Sequence, residues 1–496
     1  MKINPLRAVL VASIAAVLGI PDESLAVTLN ADGLGQALIY PYYTARSVGG
    51  DAFNTYLSIV NHAGDAKALR VRFREGRNSR EVLSFNLYLS PNDVWTGAVI
   101  PFDTGARLIS ADASCTDPPQ IIESAFGPLP FMEFRGNAYS GVNADGSGEG
   151  LERTREGFVE VLEMATLSGA SAAAVTHFNS VPANCAAIRA SGLPGITAPT
   201  GGLSGTLTLI NVATGMDFTV NAEALANLSV DPFFRTPSNP YPDFSAGEIT
   251  ATSFVVANAQ AYRSDWSRPV DAVSAVLMRS AWLAEYVLDS STRSLTDLVL
   301  TFPTRHFYAV ATAALPPFTR PAGWTPDCSV TSSPALGERI LFSFFDREER
   351  SAVAFCDFGT CPPPALDRIC SASAVVSVSN GAAHMPFPSS TSFVLGSLTR
   401  GFARGSLPVT PTFQHGWIRL SAPDAASLTS LASSTRMDLA TGRQVVGAHQ
   451  FAGLPVVGLS AWTLQNGTLS CGAGSCQGNY GGAFPLKYLR TITPAS

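Results

Sequence analysis

The chain is 496 residues long and carries 32 Lys and Arg against 38 Asp and Glu, a formal charge of −6 with only 14% of its residues charged. A mildly acidic chain without a long basic run argues against nucleic acid as a partner, and no apolar run beyond residue 20 reaches the length of a transmembrane helix. With 42 Gly and 34 Pro, the composition suits many short strands joined by turns better than a helical bundle.

The first elements in chain order are those of a secretory signal peptide, assigned to residues 1–26. Lys2 and Arg7 form a positive n-region, residues 8–20 an apolar run, and Ser24, Leu25 and Ala26 a small-residue cleavage site. The mature protein is therefore expected to start near Val27 and to be exported: periplasmic, on the cell surface or extracellular. An outer-membrane barrel is the competing membrane reading; eight cysteines and prolines inside apolar segments fit it poorly.

Residues 27–112 hold strand-like runs at 37–43, 55–61, 68–74, 82–89, 94–100 and 107–111, with turn residues between several of them. That spacing predicts an immunoglobulin-like β-sandwich. Within 68–74 the alternation is strict: Leu69, Val71 and Phe73 face one way, Arg70, Arg72 and Arg74 the other, as in a half-buried antiparallel strand. Residues 113–201 read as a disulfide-tied excursion with a Gly/Asp loop at 143–150 and one strong strand at 157–164. In 202–321, strands are expected at 205–212 and 216–221, short helices at 222–228 and 270–279, and a hairpin joining 282–288 to 297–302. Residues 322–496 read as a C-terminal β-rich domain with strands at 339–345, 373–378, 416–420 and 456–464. The fold class is mainly β: immunoglobulin-like β-sandwich domains with short helices and disulfide-tied loops.

Eight cysteines in an exported chain read first as disulfides. Cys356–Cys361 and Cys471–Cys476 each leave four residues in which the chain can turn back. Cys115 and Cys185 are the only two in the first 300 residues and are expected to pair. Cys328–Cys370 follows by elimination. A zinc site built from the two close pairs lacks a histidine at ligand spacing.

Five segments in order from Gly33 to Tyr488 carry a resemblance: GLGQALIYPYYT, VRFREGRNSREVLSFNLYLSPNDVW, RTREGFVEVLEM, TDLVLTFPTRHFY and NYGGAFPLKY. Together they resemble a group of exported, β-rich proteins of Gram-negative bacteria with no known activity. The resemblance implies a secreted bacterial protein and brings no catalytic residues with it.

Chemistry is sparse. The histidines, 62, 177, 306, 384, 415 and 449, are scattered, with no H-E-x-x-H helix and no G-x-S-x-G elbow among the motifs. Glu156, Glu160 and Glu163, or Asp346, Glu348 and Glu349, could supply two carboxylates for glycoside cleavage, which needs them about 5 to 10 Å apart. Acidic residues interleaved with arginines are more simply a solvated turn. Asn143, Asp145, Ser147 and Glu149 imitate the oxygen-ligand spacing of a calcium loop, with Gly148 at the sixth position, but the loop opens on Asn and has Thr154 where a bidentate Glu belongs. No other cofactor is implied. Tyr40, Tyr42 and Tyr43 are candidates for an exposed aromatic contact. The row Arg70, Arg72 and Arg74, continued by Arg77 and Arg80, is the candidate contact for an acidic partner.

The sequence thus points to a secreted or cell-surface interaction or structural protein, not to an enzyme, with cell-envelope polysaccharide or protein as partner. A carbohydrate-binding protein is the alternative, favoured by an exposed aromatic platform. A polysaccharide hydrolase is the third reading, favoured by a cleft with two convergent carboxylates.

Overall fold

The computed structural model describes residues 26–494 apart from 49, 123–128, 191–192, 327–335, 352–364, 387–390, 400–405, 423–429, 433–434, 439–442, 447–448 and 472–473. The expected signal peptide therefore lies outside the described residues. The fold is mainly β, built as two successive two-sheet units.

In the first unit one sheet runs in the order Thr28–Leu29, Glu223–Ala226, Ala37–Thr44, Glu156–Leu167, Ala66–Glu75, Glu81–Leu89, Cys115–Asp117. The facing sheet runs Phe131–Glu133, Gly105–Ile109, Val94–Phe102, Asn54–Asn61, Thr206–Asn211, Met216–Asn221. Every pairing in both is antiparallel. Alternate side chains fill the space between the sheets: Leu69, Val71, Phe73, Val159 and Val161 from one, Leu57, Ile59, Trp95, Leu207 and Phe218 from the other. The boundary expected at residue 112 falls inside this unit, because strands from 156–167 and 203–226 complete its sheets. At Gly157 the strands approach so closely that a Cβ would collide with the Arg74 carbonyl of the neighbouring strand.

The second unit repeats the arrangement. One sheet runs Ala365–Ile369, Glu338–Asp346, His415–Ser421, Ala281–Val287, Lys487–Leu489. The other runs Ser406–Pro408, Ser373–Ser379, Leu295–Thr301, Val457–Cys471, Gly474–Pro485, antiparallel except for Ser373–Ser379 with Ser406–Pro408. Its core joins Trp282, Ile340, Phe342, Ile418 and Leu420 to Leu298, Leu300 and Val376. The helix Pro269–Leu277 lies against the same core, with Pro at its first turn and Val273, Val276 and Leu277 buried.

Two local expectations fail. Residues 223–226 form a strand instead of a helix, because Leu225 and its neighbours pair with Ala37–Ile39 and buried Leu225 joins the apolar core. Tertiary pairing outweighs the helix preference of an Ala- and Leu-rich run. The strands Ala281–Val287 and Leu295–Thr301 do not pair as a hairpin; the chain crosses between them from one sheet to the other. Cys115–Cys185 is a disulfide with a Cα–Cα distance of 5.3 Å, tying the edge strand Cys115–Asp117 to the helix Cys185–Ala190. Cys370 is also disulfide-bonded. Cys328, Cys356 and Cys361, and the side chains of Cys471 and Cys476, lie outside the described residues.

Candidate functional site

The arginine strand alternates as read, but it does not face solvent. All ten residues of Ala66–Glu75 are buried. Arg70, Arg72 and Arg74 stand opposite Leu69, Val71 and Phe73; the segment 235–243 supplies acceptors to Arg70 and Arg72, and Glu160 and Ser79 supply them to Arg74. Arg70 donates to the Thr236 carbonyl at 2.8 Å and to those of Arg235 and Asn239 at 3.3 Å. Arg72 donates to the carbonyls of Pro240 at 2.8 Å and Pro242 at 3.1 Å, and to Glu81 at 2.6 Å. Arg74 reaches Glu160 at 2.8 Å and the Ser79 carbonyl at 3.0 Å. An irregular, Pro-rich segment has carbonyls that no ladder satisfies, and guanidinium groups supply the donors. Burial, reinforced by Arg72, pushes the Arg70 guanidinium down to about 10. The expected exposed row is thus an internal clamp between strand and loop.

The three glutamates of Glu156–Leu167 are likewise held inside. Glu163 pairs with Lys67 at 2.7 Å, both side chains fully excluded from solvent. Glu160 takes Arg74. Glu156 accepts from Arg46 Nε at 2.9 Å, Tyr42 Oη at 2.9 Å, Ser397 Oγ at 2.5 Å and the Leu398 N–H at 3.1 Å. Burial alone would raise the Glu156 carboxyl; Arg46 and these hydrogen bonds outweigh it and hold the group below its ordinary value. Asp346 ends the strand Glu338–Asp346 and is itself buried, accepting from Arg350 and from the Glu348 and Arg350 amides, while the exposed residues 347–350 turn the chain beside it. Tyr40, Tyr42 and Tyr43 are completely buried, so no exposed aromatic remains in that run.

The calcium-like loop does not converge on a cation. Asp145 is bound by Arg153 through both oxygens, at 2.8 and 2.9 Å, and by Asn78 at 2.9 Å. These partners hold its carboxyl down at about 2 despite desolvation. Ser147 Oγ accepts from Asn78 and from the Trp324 N–H; Glu149 caps the Gly141 amide; Asn143 donates to the Asn137 carbonyl. Asp145 and Ser147 share the Asn78 amide, while Asn143 and Glu149 serve separate backbone groups, so the four side chains do not converge on one point. Among the described residues no group of three or more His, Cys, Asp or Glu is placed to hold a metal ion, and no helix is long and apolar enough to cross a membrane.

What the structure brings together instead is an aromatic groove on the second unit. Glu285 on one sheet and Ser460 and Trp462 on the other line an open depression of about 510 Å³ with Trp417, Phe484 and Lys487. Trp417 is 39% exposed beside buried Ile418, and Phe484 is 48% exposed. Trp462 packs against Phe484 with ring centroids 4.6 Å apart and planes tilted by 31°, and Phe345 stacks on the Trp417 indole at 4.3 Å. Trp462 Nε1 donates to Ser460 Oγ at 3.1 Å, and Ser460 donates to the Glu285 carbonyl at 3.2 Å, so that indole is fixed in place. The groove was hidden in the sequence because its residues come from strands up to 200 positions apart. The available signal was single aromatics at outward positions, such as Trp417 beside buried Ile418. Compared with family models, with curated proteins and with solved structures, the chain finds no match.

Proposed function

We propose that the protein is an exported binding protein of the cell envelope or its exterior, and that the aromatic groove of the second unit takes a carbohydrate chain. The observation that carries this reading is the set Trp417, Trp462 and Phe484, held open to solvent beside Glu285 and Lys487. Flat rings offer apolar faces to the C–H face of a sugar, while the flanking charged pair reaches its hydroxyls. Hydrolysis has less support, since Glu156, Glu160 and Glu163 are committed to buried ion pairs. The leader-like residues 1–26 and the resemblance to exported Gram-negative proteins support export.

We further read each unit as immunoglobulin-like. In the first, Asn54–Asn61 pairs Val94–Phe102 in one sheet while Ala66–Glu75 pairs Glu156–Leu167 in the other. In the second, Ala281–Val287 pairs His415–Ser421 while Leu295–Thr301 pairs Val457–Cys471. Such crossed pairings between successive strands are the Greek-key heart of that sandwich.

The test is retention of the exported protein on immobilised envelope polysaccharides, with Trp417→Ala and Trp462→Ala as variants. Each substitution is expected to weaken binding by about tenfold or more, the loss of one well-packed aromatic contact. Failure of the wild type to bind any glycan, or equal binding by both variants, overturns the carbohydrate assignment. Capture of an envelope protein that both variants lose would keep the groove and replace the glycan by a protein.

A further inference from the structure

A second cavity, sharing no lining residue with the groove, lies where the turn after Ala66–Glu75 meets segments 240–243 and 306–322. It encloses about 340 Å³, at the small end of the roughly 300–1,000 Å³ typical of small-molecule sites. Three of its residues hold buried polar atoms that meet no partner at hydrogen-bonding geometry among the described residues: Asn78 Oδ1, Ser79 Oγ and both ring nitrogens of His306. Folded proteins leave few such atoms, and the three residues that carry these four all line one small space. Ser79 is 2% exposed and sits at φ +60°, a left-handed conformation that costs a non-glycine residue energy. Strain and unmet hydrogen-bonding capacity coincide at the same side chain.

The turn is built to hold this geometry. Glu75 accepts from the N–H groups of Arg77, Asn78 and Arg80, at 2.8, 2.9 and 3.0 Å, and Arg153 braces it at 3.0 Å. Arg74 donates to the Ser79 carbonyl from the adjacent strand. Asn78 spends its amide N–H groups on Asp145 and Ser147, which fixes its carbonyl oxygen as the free acceptor.

Charge narrows the ligand. Of the charged residues that line the cavity, Arg74 pairs with Glu160 at 2.8 Å, Arg80 with Asp145 at 3.4 Å and Glu81 with Arg72 at 2.6 Å, and Asp243 lies beside them, so each lining cation is compensated and no spare positive charge is left for an anion. Burial first, then Arg74, Arg72 and Arg80, keep the imidazole of His306 neutral, against a weaker opposing effect of the Pro303 carbonyl. A neutral imidazole offers one donor and one acceptor, a serine hydroxyl offers both, and Asn78 Oδ1 accepts. A site whose cations are all compensated and whose remaining groups mix donors and acceptors matches hydroxyls, which donate and accept at once.

We infer that this cavity is a binding site for a small, neutral, polyhydroxylated ligand about one sugar unit in size, contacted by Ser79, Asn78 and His306. It does not depend on the aromatic groove being a glycan site.

The experiment is thermal-shift and calorimetric titration of the full exported protein with D-glucose, D-galactose, D-mannose and L-arabinose, and in parallel with D-glucuronate and inorganic phosphate. At least one neutral sugar is expected to raise the melting temperature in a saturable way. Ser79→Gly removes the hydroxyl while relieving the positive φ, so it should leave the unliganded protein as stable or more so and weaken that sugar about tenfold. His306→Phe should do the same to affinity, whereas Trp417→Ala should leave the titration unchanged. No saturable shift with any neutral sugar, a response to glucuronate or phosphate alone, or undiminished binding in both Ser79→Gly and His306→Phe each overturns the assignment. A Trp417→Ala variant that loses the sugar moves the ligand to the groove and overturns it too.

Discussion

Lys67 and Glu163 pair at 2.7 Å with no solvent contact on either side chain, and Glu163 also accepts from the amides of Thr200 and Gly201. Desolvating two ions is costly, so such a pair is more informative when broken than when counted. Lys67→Met leaves a buried carboxylate without its cation and is expected to cost about 3–5 kcal/mol in urea unfolding. Lys67→Met combined with Glu163→Gln removes the orphaned charge yet keeps an acceptor for the two amides, and should recover a large part of that loss. Equal destabilisation by the single and double variants would show that charge is not the reason. At this scale the sequence was half legible. The alternation of 68–74 is a local pattern and appears as read. Whether Arg70 and Arg72 meet water depends on a segment some 165 positions downstream that supplies their acceptors, and for Arg74 on Glu160 of a strand paired across the sheet, and no local pattern carries that information. The same holds for Asp145, whose spacing suggests a cation but whose neighbour in space is Arg153.

Strands are where the reading succeeds most often. The runs at 37–43, 82–89, 216–221 and 373–378 coincide closely with Ala37–Thr44, Glu81–Leu89, Met216–Asn221 and Ser373–Ser379. Period-two patterning bounded by Gly, Asn and Asp is set by the chain itself. Which strands become neighbours is not, and so 282–288 and 297–302 were joined as a hairpin although they belong to opposite sheets. Cys115 and Cys185 are legible as a pair because a covalent bond needs two partners and the first 300 residues hold no other cysteine. Cys115–Cys185 closes 70 residues of sequence and pins a small satellite cluster of Tyr88, Val175 and Leu193 to the sheet edge. By loop entropy, Cys115→Ser with Cys185→Ser should lower stability by about 4 kcal/mol while far-ultraviolet circular dichroism stays β-rich. A loss under about 1 kcal/mol would mean that the reduced chain keeps the excursion closed on its own.

The two units are joined by more than a linker. Glu156 of the first accepts from Ser397 and Leu398 of the second, Thr301 donates to the Pro41 carbonyl at 2.5 Å, and Ser373 N–H bonds the Gly76 carbonyl at 2.8 Å. Val299, Val375, Leu459 and Ala461 of the second unit lie in the core of the first. Calorimetry at neutral pH should therefore show one cooperative transition, with calorimetric and van't Hoff enthalpies equal. Acid should loosen this union. The Glu156 carboxyl is held below its ordinary 4.5, so its contribution is complete above that value and is lost as pH falls through the lower folded value. Two resolved transitions at neutral pH would separate the units energetically. Lysine scarcity at this scale has a practical result. Of three lysines, Lys2 lies outside the described residues, Lys67 is sealed in its ion pair, and Lys487 is exposed at the aromatic groove. An amine-directed acylating reagent thus has, among the described side chains, a single accessible target, so the rate of Lys487 acylation becomes a footprint of groove occupancy, and coupling the protein to a surface through that side chain would block the face that the surface is meant to display.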